Sequence, residues 1–150
     1  MEDYFDRLKR MIIARLMINE TSIHGVSHWD RVTENGLHVA QHTGADIAVV
    51  KLFAIFHDAQ RKNDEDDPDH GRRGAELARD LRQRYFALSD AQFDLLYKAC
   101  AGHTDGAQSS DLTIGTCWDA DRLDLDRIGI SPSHEYMSTT IGKALAKERA

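Results

Sequence analysis

One segment of the chain, residues 46–58, is apolar on nearly every side. Between Asp46 and His57 its only polar residue is Lys51. A helix that is apolar all round is buried by its neighbours, so the fold must supply enough surrounding helices to cover it. The chain has 150 residues, of which 41% are hydrophobic, and that length is sufficient for one domain with a real core.

The rest of the chain is also typical of helices separated by short breaks. Apolar residues recur at helical spacing in residues 3–17, 27–43, 70–85, 89–103, 113–127 and 139–149. No segment shows the alternation of polar and apolar residues that is typical of a β-strand, and no repeat or linker divides the sequence. We therefore predict an all-α fold, a single compact bundle of six to seven helices that occupies residues 1–150 as one domain. Ser27 is expected to cap the second helix, and Ser89 or Asp90 the fifth.

Composition excludes several classes of function. The net charge of −6 disfavours a long nucleic acid as partner, because affinity for a phosphate backbone depends on clustered Lys and Arg. No stretch approaches the roughly 20 apolar residues that span a bilayer, so no membrane partner is expected. The acidic N-terminus does not resemble a signal peptide, and two cysteines form no disulfide framework. These features predict a cytoplasmic protein.

The buried segment ends in His57-Asp58, and this pair calls for an explanation. An unpaired carboxylate at the end of so apolar a helix would cost on the order of several kcal/mol. A metal, an arginine or exposure at the helix end could compensate it. Two other predicted helices offer similar groups: His28 lies on the face of Val32, and Asp121 shares a face with apolar residues one turn away on either side.

These groups together suit a divalent metal. Two imidazoles and two carboxylates without thiolates disfavour a closed structural zinc site and fit Mn, Fe, Co, Ni or Zn with open positions. The nearby acids Asp119 and Asp124 are interpreted as solvated, paired with Arg122 or Arg127. The acidic run 64–69 is interpreted as a solvated loop.

The ordered pattern His28, His57-Asp58, Asp121 on helices resembles the HD-domain superfamily of metal-dependent phosphohydrolases. The segment from His24 to Arg31, read His-Gly-x-x-His-x-x-Arg, resembles the first motif of the bacterial nucleotide-pyrophosphatase-like members, and residues 119–124 resemble the last aspartate motif. The resemblance covers about residues 20–130. It implies that His28, His57, Asp58 and Asp121 bind the metal.

The sequence departs from this family at one position. Many nucleotidases of the superfamily carry a glutamate three residues after the His-Asp pair to orient the attacking water, and here that residue is Arg61. The general base must therefore come from elsewhere, or the metal must generate hydroxide unaided.

Further residues are candidates for the reaction. The resemblance implies that His70 and His103 either bind a second metal or contact the phosphate and move protons, so one metal per chain is expected and two remain open. Asp58, His103 and Arg122 are the candidate catalytic residues. Phosphate could also be bound by cations near the motifs, which are Arg31, Arg61, Lys62, Arg72 and Arg73.

The leading hypothesis is hydrolysis of a phosphoester or phosphoanhydride in a small substrate such as a nucleotide, by metal-activated water. Two alternatives stay open. The order His28, His57, Asp58, His70, His103, Asp121 also resembles the binuclear iron oxygenases built on the HD fold. A non-catalytic metal-binding sensor or interaction domain is the third.

Overall fold

A computed structural model describes residues 3–149, and within them the secondary structure is helical with no strand. The α-helices are α1 (Tyr4–Ala14), α2 (Val26–Thr43), α3 (Ile47–Phe56), α4 (His70–Leu81), α5 (Asp90–Gly102), α6 (Leu112–Arg122) and α7 (Thr140–Arg149). Two 3-10 helices, Leu123–Ile128 and His134–Tyr136, lie between α6 and α7. The predicted all-α bundle is confirmed.

Helix α3 is the centre of the bundle, as its composition predicts. It packs against α2, α5 and α6 and also contacts α1 and α4, and its side chains from Val49 to Phe56 are buried except for Lys51. The helix begins where the Asp46 side chain accepts a hydrogen bond from the Val49 amide. Burial on all sides sends the end of α3 into the interior, so His57 and Asp58 emerge there and not at the surface.

Two of the predicted helix starts can be compared with the structure. Ser89 caps α5 in a capping box with Gln92, which selects one of the two candidates. Ser27 does not cap α2, because that helix already begins at Val26 after Gly25. A Cβ at Gly25 would lie 2.1 Å from the Glu20 carbonyl oxygen, so the tight backbone approach there requires glycine.

The helices predicted over residues 70–85 and 113–127 end four and five residues earlier than expected. Helix α4 stops at Leu81, because Gln83 adopts a left-handed φ of 71° and its amide pairs with the Phe86 carbonyl. Helix α6 stops at Arg122 and continues as a 3-10 helix, which tightens the chain to three residues per turn. Residues three apart in this last segment therefore lie above one another. None of the described helices is both long and apolar enough to cross a membrane.

Candidate metal centre

Close helix packing brings the ends of α3, α4 and α5 together. Two glycines one turn apart on α4 permit it: a Cβ at Gly74 would lie 2.3 Å from the Phe56 carbonyl oxygen, and one at Gly71 would lie 2.5 Å from that of Cys100. Any larger residue at either position would push α4 away from these helix ends. The glycines therefore set the distance from His70, at the start of α4, to the His57-Asp58 pair.

Four of the predicted ligand groups meet in one cluster. The Nε2 atoms of His28 and His57 lie 3.1 Å apart, and Asp121 Oδ1 lies 3.1 Å from the first and 3.4 Å from the second. Asp58 Oδ2 lies 3.4 Å from His28 Nε2 and 3.3 Å from His57 Nε2. Both imidazoles are fully buried, and the Asp121 side chain is 17% exposed, so Asp121 is the member of the cluster that is most open to solvent.

A second cluster lies on the other side of the same carboxylate. Asp58 Oδ1 is 3.0 Å from His70 Nε2 and 3.4 Å from His103 Nε2. Those two nitrogens lie 3.0 Å from each other, and the three side chains are almost fully buried. Each oxygen of Asp58 thus faces its own pair of imidazoles, an arrangement in which one carboxylate can bridge two ions.

All four histidines direct the same ring atom at Asp58. The Nδ1 atoms donate outward: that of His28 to Asp124 Oδ2, and those of His57, His70 and His103 to backbone carbonyl oxygens. A donor hydrogen on Nδ1 leaves the Nε2 lone pair free in the neutral ring. The hydrogen-bond pattern therefore presents four unprotonated Nε2 atoms to the centre when the rings are neutral, as metal ligation requires.

When no cation is present, the carboxylates of this centre favour protonation of its imidazoles. Burial lowers the pKa of His28, but hydrogen bonds to Asp121, Asp124 and Asp58 outweigh it and raise the pKa to about 9. Burial likewise opposes the charge on His57, whose pKa the Asp58 and Asp121 carboxylates raise to about 10. Burial also acts to raise the pKa of both carboxyls, but the imidazoles hold each well below its usual range. The centre thus favours cationic charge among its carboxylates.

The donor set fits a divalent ion. The ligand atoms of His28, His57 and Asp121 all lie within 4.8 Å of one another, as do those of His57, Asp58 and His103. Imidazole nitrogens and carboxylate oxygens without thiolates suit Mn, Fe, Co, Ni or Zn. In the neutral rings the Nε2 lone pairs would face each other over 3.0–3.1 Å, and a cation between them removes that repulsion.

A cavity of about 500 Å³ opens over both clusters. Its wall includes Asp58, Asp121, His70 and His103, so a small molecule in it would reach the centre directly. The other side chains of the wall come from the loops around the centre: His24, Arg61, Glu65, Asp66, Asp67, Pro68, Thr104, Asp105, Arg122, Leu125, Arg127 and Ile128. Carboxylates outnumber arginines in this wall.

Two of the predicted phosphate-binding or catalytic arginines line the cavity. Arg61 is buried beside Asp58, with Nε 3.6 Å from Oδ1, and this Nε has no hydrogen-bond partner. Arg122 donates through Nη1 to the Ala107 and Tyr136 carbonyls, while its Nη2 is buried without a partner. Each guanidinium therefore keeps an uncommitted donor at the cavity wall.

The remaining predicted phosphate contacts lie elsewhere. Arg73 pairs with Asp67, Arg72 pairs with Asp69 on the surface, and the exposed Lys62 is not part of the cavity wall. Arg31 is also outside the wall and donates to Asp124. The acidic run is not simply solvated, because the Asp67 side chain is only 7% exposed in its pair with Arg73.

The interpretation of Asp119 and Asp124 as solvated acids is wrong, although one of the pairings expected with it is present, since Arg127 Nη1 lies 3.9 Å from Asp124 Oδ2. Asp119 is fully buried and accepts hydrogen bonds from the Ser138 and Thr139 amides and from the Thr139 hydroxyl. Asp124 is 3% exposed and accepts from His28 and Arg31. The first joins α6 to the start of α7, and the second supports a predicted ligand.

The His24 side chain reaches the centre, although the sequence analysis assigned it no role there. Its Nδ1 lies 3.4 Å from Asp58 Oδ2 and accepts from Arg127 Nη2, and its Nε2 contacts the Asp64 carbonyl. Helical spacing gives no signal for this, because His24 precedes the start of α2 at Val26, and the available signal was its place in the same short motif as His28.

Comparison with known proteins supports the same family. The structure is similar to the crystal structure of a predicted HD superfamily hydrolase from an uncultured Thermotogales bacterium, with a TM-score of 0.73 and 25% sequence identity over 95% of this chain and 83% of that one. No protein-family model matches the chain, and no curated protein matches it. The fold and the two His/Asp groups support the HD-domain superfamily and a metal-dependent hydrolase.

Proposed function

We propose that this chain is a metal-dependent phosphohydrolase that acts on a small phosphorylated molecule, with a nucleotide as the expected substrate. The observation that carries the proposal is the Asp58 carboxylate with an imidazole pair on each side, at the floor of a cavity of about 500 Å³. That volume is in the usual range for small-ligand pockets.

In this proposal His28, His57, Asp121 and Asp58 Oδ2 hold one divalent ion. An ion held by these residues would lower the pKa of bound water and polarise a phosphoryl oxygen. The protein residues fix its place: the Nδ1 hydrogen bonds hold both imidazoles in the ligating tautomer. Asp121, the more exposed ligand, lies at the cavity side.

His70, His103 and Asp58 Oδ1 hold a second ion in the fuller form of the proposal. Two roles were predicted for His103, and its hydrogen bond separates them. Its Nδ1 donates to the Cys100 carbonyl over 2.7 Å, so Nε2 offers a lone pair and not a proton to the centre when the ring is neutral. This favours ligation over proton donation to a leaving group.

Arg61 and Arg122 bind the anionic group of the substrate in this proposal. Each has a buried donor without a partner at the cavity wall, and a buried unsatisfied donor is stabilised by an acceptor that enters the site. Arg61 cannot replace the glutamate of the nucleotidases as base, since a guanidinium has no acceptor. The acids of the wall would repel a phosphate that came without a bound cation.

The test combines metal analysis with hydrolysis. Protein purified without added metal is analysed for bound metal, then loaded with Mn²⁺ or Co²⁺ and assayed on nucleoside monophosphates, nucleoside triphosphates and p-nitrophenyl phosphate. We expect metal-dependent release of phosphate or pyrophosphate, loss of both metal and activity in Asp58→Ala, and neither loss in the control Asp94→Ala, which alters an exposed acid on α5. No turnover by the metal-loaded protein, or unchanged metal content in Asp58→Ala, contradicts the proposal.

A second candidate is a binuclear iron oxygenase. The observation that supports it is the place of Asp58 between two imidazole pairs, a donor set that would hold two irons as readily as two hydrolytic ions. Oxygen uptake by the iron-loaded protein in the presence of candidate substrates, without phosphate release, would favour this reading over hydrolysis.

A further inference from the structure

The side chain of Asp124 lies on the far side of His28 from the proposed metal. Its Oδ2 is 2.7 Å from His28 Nδ1, while the cluster with Asp121 is at Nε2. Because it faces the opposite ring nitrogen, Asp124 cannot be a ligand of an ion bound at His28 Nε2. Yet it is a carboxylate whose side chain is only 4% exposed, and a buried carboxylate requires a specific partner.

Asp121 and Asp124, on either side of the end of α6, contact the two opposite nitrogens of the His28 ring. The chain tightens from α-helix into a 3-10 helix at Leu123, between the two aspartates, so the turn that separates them is tighter than an α-helical one. Asp121 thereby faces one nitrogen of His28 and Asp124 the other. A continuous α-helix would turn the two side chains about 60° apart around the helix axis.

A third residue holds Asp124 in place. Arg31, three residues after His28 on α2, donates through Nε to Asp124 Oδ1 over 2.7 Å. The Arg31 side chain is 44% exposed, and so exposed an ion pair contributes little to stability by itself. Its geometric effect is larger: Oδ1 accepts from Arg31 and Oδ2 contacts His28, with Arg127 Nη1 also 3.9 Å from Oδ2, so rotation of the carboxylate away from the imidazole would break these contacts.

We propose that Asp124, fixed by Arg31, is a positioning residue that holds His28 in the orientation and tautomer that ligate the metal. This inference rests on the proposed metal centre. The carboxylate keeps the hydrogen on Nδ1 and increases the basicity of Nε2, as partners of ligating histidines do. Arg31, predicted from sequence to contact phosphate, acts here through Asp124.

Asparagine at position 124 is the sharpest test, because it keeps the shape of the side chain and removes one acceptor. His28 and Arg31 both need an acceptor oxygen and the amide has only one, so one of the two hydrogen bonds is lost. We expect Asp124→Asn to bind Co²⁺ about 10–100-fold more weakly than the wild type, with an altered Co²⁺ d–d spectrum. Asp126→Asn, the same change at an exposed position of the same 3-10 helix, should bind as the wild type does.

The outcomes separate this inference from the proposed function. Wild-type protein that binds no Co²⁺ overturns both. Wild-type binding together with Co²⁺ affinity and spectrum unchanged in Asp124→Asn overturns the positioning role alone. If Asp124→Asn does not fold, as judged by circular dichroism, Arg31→Gln replaces it: a weaker affinity and an altered spectrum support the role, and wild-type values for both overturn it.

Discussion

Metal binding to this centre should release protons. In the metal-free protein the pKa values of His28 and His57 are raised to about 9 and about 10, so both rings favour the protonated form at pH 7. Their Nε2 atoms are the atoms that meet in the cluster, and a metal can bind them only after those protons leave. Proton release is therefore a direct consequence of this ligand geometry.

The number of protons released on metal binding depends on how closely the two imidazoles interact. The two Nε2 atoms lie 3.1 Å apart and share Asp58 and Asp121, so the second proton is bound against the charge of the first and the pair titrates in coupled steps. We expect the first metal to release between about one and two protons at pH 7. The apparent affinity should then rise about 10- to 100-fold per pH unit between pH 6 and 8.

Calorimetric titration of the metal-free protein with Co²⁺, in two buffers of different ionisation enthalpy, measures this count directly. His28→Gln should lower it by about one proton, whereas His42→Gln, at an exposed position of α2, should leave it unchanged. Release of less than about half a proton at pH 7, or an affinity that is flat from pH 6 to 8, would refute the reasoning.

Three further predictions concern stability. Both imidazole pKa values are raised above the ordinary 6.5, so the metal-free protein should lose stability as pH rises from 6.5 toward 9. Urea unfolding should therefore give a larger free energy of unfolding at pH 6 than at pH 8.5. The reverse order would contradict this prediction. Gly74→Ala should lower the free energy of unfolding by about 1–3 kcal/mol through its clash with the Phe56 carbonyl; the exposed Arg72→Ala on the same helix is the control, and an unchanged thermal midpoint in Gly74→Ala argues against the tight packing. Asp119→Asn should cost about 1–3 kcal/mol in urea unfolding, because one acceptor oxygen replaces two that are both in use; its metal content should stay at the wild-type level, and metal loss would count against the separate roles of Asp119 and Asp121.

The sequence predicted the helices and the meeting of the four leading groups because both depend on local pattern. An apolar helix that ends in His57-Asp58 must bring that pair into the interior wherever the neighbouring helices lie. The ends of helices were less predictable. Helix α6 changes to a 3-10 helix at Leu123, and nothing in the apolar periodicity of residues 113–127 distinguishes the two kinds of turn.

Partners that are distant in sequence were also beyond prediction. Asp124 was taken for a solvated acid, and its partner His28 lies 96 residues earlier in the chain. Similarly, the candidate phosphate-binding arginines were chosen for their nearness to the motifs, although Arg73 pairs with Asp67 and Arg61 faces the centre. Which of several local cations points inward depends on how the loop 59–69 folds back, and that is a tertiary property.

The predicted ligand histidines lie at helix ends, and the kind of end decides whether the hydrogen-bond partner of Nδ1 is near or distant in sequence. His57 and His103 follow the last residues of α3 and α5, and their Nδ1 atoms donate to carbonyls of the helix just ended, Phe53 and Ala54 for the first and Cys100 for the second. Most carbonyls in the last turn of a helix lack amide partners, although that of Phe53 also accepts from the His57 amide. The ring hydrogen bond therefore both satisfies the end of the helix and fixes the tautomer of the ligand. His28 lies in the first turn of α2, where the amides and not the carbonyls are free. It therefore needs an acceptor from another element, and the buried carboxylate of Asp124 supplies it.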